Sequence, residues 1–219
     1  MVDKILEKRL PNLNLEYEIE VRDKNGELIS YRREQSHSLV KNFALILQSL
    51  MAGTLVKWRN NSIHSTSVTL KTTSGEEIVY PNVSIPQEYY FGPRSAGAFE
   101  VSAYFGEDFF GIVVGTGTAA VSRDDYKLDN QIMHGYESGQ LVYGEVTVED
   151  VDGAPPSSVW RVIRTFTNES DATITVREIG LIANCGGKWV LIARDVLSQG
   201  QDVPVFATLT VRYVFSVTA

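Results

Sequence analysis

Acid–base or metal chemistry would have to start from three histidines, His37, His64 and His134, and none stands at metal-ligand spacing from another. A Ser-His-Asp base can be drawn on paper because serines are plentiful, but no spacing selects one set. Cys185 is the single cysteine, so neither an intrachain disulfide nor a cysteine zinc cluster can form. With no base near it in sequence, it reads as a small residue packed beside the Gly186-Gly187 turn. Gly115-Thr116-Gly117-Thr118 looks like a phosphate loop. It lacks the third glycine of the dinucleotide fingerprint and the Gly-Lys-Ser/Thr ending of a P-loop, so it reads as a turn where chains approach closely. Two acidic groups, Asp124, Asp125 and Asp129, then Glu149, Asp150 and Asp152, miss the ligand spacing of an EF-hand. A surface calcium site is the alternative to solvated loop charges, which is the better reading. No catalytic residue, cofactor site or metal site is assigned, and an enzyme is not expected.

The bulk properties exclude further classes. A net charge of −7 and scattered Lys and Arg, densest at Arg32-Arg33 with Lys57 and Arg59 beyond, disfavour nucleic acid, whose recognition needs a basic stripe. No apolar stretch is long enough to span a bilayer, and Met1–Leu10 lacks the features of a secretory signal, so synthesis in a cytoplasm and no membrane partner are expected. Without that signal, the glycosylation sequons at Asn60, Asn82 and Asn168 carry little meaning.

The elements that must position any site are mostly strands. Residues 1–10 read as a short helix ended by Pro11, and Leu13–Arg22 as a strand. Asp23-Lys24-Asn25-Gly26 signals a tight hairpin with Glu27–Arg33 as the return strand. One long amphipathic helix is expected over 36–52, capped by Ser36 or Ser38 and closed by Gly53, with Leu39, Phe43, Ile46, Leu47 and Leu50 on one face. Val68–Thr72 and Glu77–Tyr80 flank a second hairpin. Residues 81–110 read as aromatic-pinned loops with one short strand near 98–104. Strands then follow at 141–148, 159–167, 173–183 and 188–196, ending in the alternating Leu209–Val217. In 173–183 the apolar positions change phase between Val176 and Ile179, which predicts a β-bulge near Glu178–Gly180. The expected fold is mainly β: an antiparallel, jelly-roll-like β-sandwich carrying an N-terminal β-hairpin and the helix. The boundary falls near residue 55, giving a hairpin-and-helix module at 1–54 and a β domain at 55–219, or one continuous domain.

Three stretches carry a resemblance. The first is Val21–Gly26 followed by Ser36-His37-Ser38-Leu39-Val40-Lys41-Asn42-Phe43. The second is Gly111–Ala120 with Asp124-Asp125-Tyr126-Lys127-Leu128. The third is Phe166-Thr167-Asn168, then Ile174-Thr175-Val176-Arg177-Glu178-Ile179-Gly180-Leu181, then Leu191-Ile192-Ala193-Arg194-Asp195-Val196. In order and spacing they resemble a loose group of tailed-phage and virus-like virion structural proteins. Ala119-Ala120-Val121 replaces the proline-rich segment usual after the glycine turn in that group, and residues 81–110 match nothing in it.

The resemblance implies a virion structural protein that self-assembles and contacts neighbouring tail, baseplate, neck or capsid proteins, located in the virion after synthesis in the host cytoplasm. Its expected partners are copies of itself and other virion proteins. The alternative is a receptor- or glycan-binding fibre module, in which Trp58, Tyr89, Tyr90 or Tyr136 stacks on a host-surface sugar. The expected interface residues are Leu39, Phe43, Leu47 and Leu50 on the helix and Tyr89, Tyr90 and Phe91 in the aromatic loop. Glu178 and Arg194 are expected to pair and lock the register of two neighbouring strands.

Overall fold

The computed structural model describes residues 12–36, 38–52, 68–80, 99–154 and 157–218. These residues form a mainly β structure of antiparallel sheets with one short helix. The hairpin β1 (Asn12–Arg22) and β2 (Leu28–Gln35) precedes α1 (Lys41–Ala52), the small hairpin β3 (Val68–Lys71) and β4 (Glu77–Tyr80), and the two-residue β5 (Phe99–Glu100). The remaining strands are β6 (Gly111–Gly115), β7 (Val142–Val148), β8 (Ser157–Thr167), β9 (Ile174–Cys185), β10 (Lys188–Val203) and β11 (Thr208–Thr218).

One sheet has the order β2-β1-β11-β8-β7; in the other, β9 pairs with β10 along one side and with β5 and β6 along the other. Stretches on either side of residue 55 thus share a sheet, because β1 lies between β2 and β11. Alternation explains the five-stranded sheet. Leu15, Tyr17, Ile19 and Val21 sit opposite Phe215, Tyr213, Val211 and Leu209, and all eight are buried. Their neighbours Glu16, Glu18 and Glu20 face the other way and pair with Arg33 and Arg212. The β1–β2 turn closes on Gly26 at φ +84°, while the Asp23 carboxylate accepts the Asn25 and Glu27 amides at 2.8 Å each. A single apolar cluster draws on both sheets, with Ile19, Phe166 and Val211 from one and Ile112, Ile179 and Leu191 from the other.

Two expectations need correction. The helix is not a long one over 36–52: it begins at Lys41 and spans 12 residues. Ser36 and Ser38 do not cap it, because their hydroxyls donate to Asp195, while Leu39 bridges Ala193 and the Val40 amide donates to the Ile192 carbonyl. Residues 38–40 are thereby held extended along β10. A break in register does begin at Glu178, but the extra residues lie on the partner strand β10, not on β9. β9 pairs in regular register with β6 from Glu178 to Ile182, and the irregularities lie across from it on β10, at Ile192 and between Val196 and Gln201. The apparent phase switch arises because β9 is buried on both faces from Glu178 onward.

Asn42 fixes α1 in place. Its side chain donates to the Lys71 carbonyl at 2.9 Å and the Leu191 carbonyl at 3.2 Å, and accepts the Lys71 amide at 3.1 Å. One buried amide therefore ties α1 to β3 and β10.

Candidate functional site

Glu178 and Arg194 are diagonal neighbours on β9 and β10, where Arg194 lies opposite Gly180 and Val196 opposite Glu178. Their charged groups meet at 2.9 Å, with side chains only 0% and 2% exposed. The Glu178 carboxylate also accepts the amides of Gly117 at 3.1 Å, Asp129 at 3.0 Å and Asn130 at 2.7 Å. Arg194 reaches outward to Asp125 at 2.8 Å and to the Ala119 carbonyl at 3.0 Å. Burial alone would lower the Arg194 pKa, but its bonds to Asp125 and Glu178 outweigh that and hold it above its ordinary value.

The geometry explains the glycine turn. A Cβ on Gly115 or Gly117 would run into the Glu178 carboxylate, and a Cβ on Gly180 would meet Leu128. An internal carboxylate occupies the amide-lined position that a phosphate would need. Asp125, read from sequence as a solvated charge, is instead an ion-pair partner of a buried arginine. The chemistry of this centre is to fasten the 116–130 loop onto β9 and β10.

Asp195, next along β10, faces a different set of groups. Its carboxylate accepts the hydroxyls of Ser36 at 2.9 Å, Ser38 at 2.8 Å and Tyr213 at 3.1 Å. Burial first, then the Asp195 charge, pushes the Tyr213 phenol well above its ordinary pKa, so it stays a donor. Nearby, Glu34 accepts the Tyr17 hydroxyl at 2.6 Å and the Ser198 hydroxyl at 2.8 Å. Of these groups, Tyr17, Glu34, Ser38, Asp195 and Ser198 border a cavity of about 590 Å³ that also touches Arg123. Among the described residues no cluster of three His, Cys, Asp or Glu side chains is placed to hold a metal ion.

A further buried charge is Arg164 on β8, 1% exposed. Its guanidinium donates to five carbonyls, those of Tyr104, Glu107, Phe110, Ile112 and Gly144, and lies 4.7 Å from the centre of the Tyr143 ring. Burial lowers its pKa to about 10, which leaves it charged at neutral pH. Arg164 thus pins the 104–112 segment from beneath. The upper side of that segment is open: Tyr104 is 66% exposed and Phe105 60%. Phe105 packs edge-on against His134, which Tyr136, 56% exposed, flanks at 6.1 Å. His134 is itself fixed, its Nδ1 accepting the Tyr143 amide at 3.1 Å and its own amide donating to Asp108 at 2.8 Å. Phe109 and Trp189, with ring centres 4.8 Å apart, are also exposed. The result is an aromatic surface on rigidly held loops.

The expected interface residues divide differently. Leu39 and Phe43 are half-buried and pack on the chain's own core, whereas Leu47 is exposed. Tyr89, Tyr90, Phe91 and Trp58 lie outside the described residues, as does the side chain of Leu50. Sequence reasoning missed Arg164 and the hydroxyl cage of Asp195. Arg164 had a usable signal: it occupies the inward phase of β8 between Val162 and Phe166, where an unpaired charge would be very costly. Comparison with protein-family models, curated proteins and solved structures gives no match for this chain.

Proposed function

We propose that this chain is a structural protein of a virus particle, a jelly-roll-like β-sandwich that assembles with copies of itself and with neighbouring particle proteins. The observation that carries the reading is the exposed aromatic surface of Tyr104, Phe105, Tyr136 and their neighbours. Large apolar groups exposed together mark interaction sites, and rigidly held aromatics lose little entropy when a partner covers them. Arg164 and His134 supply that rigidity here.

The virion part of the reading rests on the resemblance, and the placement of its residues supports it. Ser36 and Ser38 from the first stretch, Gly115 and Gly117 from the second, and Glu178, Arg194 and Asp195 from the third are far apart in sequence. They meet in two adjoining buried centres. Motifs that converge in this way read as a fold signature. The buried charges are committed to holding loops, which suits a scaffold.

A second reading is favoured by Tyr104 and Tyr136, whose exposed rings offer flat faces for a host-surface sugar. Light scattering over a range of protein concentration, on the full chain and on a Phe105→Ser/Tyr136→Ser variant, tests the assembly reading. The parent chain is expected to oligomerise, and the variant to stay monomeric with an unchanged circular dichroism spectrum. A parent chain that is monomeric at every concentration, or a variant that assembles normally, overturns it. Glycan-array binding lost with Tyr136→Ala would favour the second reading instead.

A further inference from the structure

The two edges of the five-stranded sheet differ. At one edge β7 lies beside the aromatic segment, whose Gly106 amide donates to the Tyr143 carbonyl. At the other, β2 pairs with β1 along one side, and among the described residues no strand lies along its second side. Proteins ordinarily blunt such an edge with Pro, Lys or a very short strand. β2 is eight residues long and holds neither Pro nor Lys, and Leu28, Ile29 and Tyr31 stand exposed along it. Its inward phase, Ser30, Arg32 and Glu34, sits opposite the buried Val21, Ile19 and Tyr17. Among the described residues, three buried side-chain polar atoms have no hydrogen-bond partner: Ser30 Oγ, Arg32 Nε and Arg32 Nη2. All three belong to this one face of the edge strand. Buried polar groups are nearly always paired, so exceptions gathered at an edge mark a place completed from outside. Nε and Nη2 are the parallel donors of the guanidinium fork that a carboxylate accepts bidentately. Glu34 does not fill that role, since its Oε1 lies 3.9 Å from Nη1 and it already accepts the Tyr17 and Ser198 hydroxyls. The Arg32 side chain is 19% exposed, so its stem can turn the fork toward a chain laid along the edge.

We infer that β2 is a docking edge for an extended segment of another protein that carries Asp or Glu opposite Arg32. Main-chain bonds to β2 supply affinity, and side chains at alternate positions supply specificity. The incoming carboxylate faces Arg32 directly and reaches Ser30 on the diagonal. Residues on the other phase of the segment meet the exposed Tyr31, so apolar groups suit them. Arg33, also on that phase, is already engaged by Glu16 and Glu18 and asks for no further charge. The partner is therefore a strand with an acidic residue on one face and apolar residues on the other. A second copy of β2 fits less well. The antiparallel pairing that sets Glu34 of one copy opposite Arg32 of the other also sets Arg33 against Arg33 on the two-fold axis.

Fluorescence anisotropy on the full chain tests it, with a labelled peptide that alternates Thr and Val around one central Glu on the Thr phase. The Glu peptide is expected to bind about tenfold more tightly than the same peptide with Gln in its place. That gap should vanish in Arg32→Met, checked for folding by circular dichroism, while a peptide interrupted by Pro should not bind at all. The Phe105→Ser/Tyr136→Ser variant should bind the Glu peptide unchanged, because the aromatic surface lies by the opposite edge, so failure here is distinguishable from failure of the assembly reading. Equal binding of the Glu and Gln peptides, which needs no variant to measure, would overturn the inference. So would binding of neither peptide, or a gap that survives in folded Arg32→Met. Hydrogen exchange on the chain alone gives the last outcome: protection of the β2 amides that rises with the chain's own concentration would assign the edge to a second copy and overturn the inference.

Discussion

Replacing Glu178 by Gln probes the buried centre with minimal change of shape. The native carboxylate takes four donors, with Oε1 accepting the Gly117 and Asn130 amides and Oε2 accepting the Asp129 amide and Arg194 Nε. A glutamine can keep its oxygen toward one pair only. Its NH₂ then points at two donors, and Arg194 loses one of its two carboxylate partners. Each buried donor left unsatisfied costs about 1–3 kcal/mol, and breaking a buried ion pair from one side costs about 3–5 kcal/mol, so the expected loss is about 3–5 kcal/mol. In a chain of this size each kcal/mol moves Tm by about 2–4 °C, so a fall on the order of 10 °C is expected. The assay is urea unfolding followed by circular dichroism, with hydrogen exchange at the Gly117 and Asn130 amides. Those amides should lose protection before the sheet does. Adding Arg194→Met to Glu178→Gln should cost less than the sum of the two single changes, because the second removes a charge the first has stranded. A loss below about 1 kcal/mol with both amides still protected would refute the claim that this carboxylate holds the loop.

Arg164→Met takes away the donor that five carbonyls share and is expected to cost several kcal/mol, at about 1–3 kcal/mol for each buried acceptor left unsatisfied. Limited proteolysis should then cut first near Phe105, and an uncut loop would contradict the pinning role. Cys185 is buried and its thiol is pushed up to about 12 by that burial. It should ignore a disulfide reagent at pH 8 in the native protein and react fully in denaturant; fast native labelling would contradict this. Burial pushes the Glu34 carboxyl up, but the Tyr17 and Ser198 hydroxyls and Arg32 pull it further down, below its ordinary value of 4.5. Bonds from Arg22 and Arg212 hold Glu20 below the same value despite its burial. A carboxylate depressed on folding stabilises the protein above its unfolded pKa, so this contribution should be complete above 4.5 and disappear as the pH falls through the folded values. The urea midpoint should therefore decline below pH 4.5, and less steeply in Glu34→Gln. An unchanged pH profile in that variant would refute the assignment.

Much of the sheet structure was legible because its signals are local. Leu209, Val211, Tyr213 and Phe215 alternate with residues that are not all buried, and Asn25-Gly26 states its turn outright. The start of α1 was illegible for a physical reason. Ser36 and Ser38 are good capping residues, but their hydroxyls are used by Asp195, which is 159 positions from Ser36. The strand β9 misled in another way, since burial on both faces removes the alternation from which phase is read. The aromatic loop shows the limit most clearly. Phe105 and Phe110 are alike in sequence context, yet one is exposed and the other fully buried, and it is the distant Arg164 that holds the Glu107 and Phe110 carbonyls on this stretch. The Glu178–Arg194 geometry could be anticipated because the two residues flank one hairpin at short range. The five-carbonyl role of Arg164 required the fold.

The most direct test of the assembly account is antibody-gold labelling of the chain on intact particles purified from cells that produce it, viewed by electron microscopy. The account predicts label at one defined place on each particle and recovery of the chain from dissociated particles. Unlabelled particles, together with absence of the chain from their dissociated proteins, would contradict it.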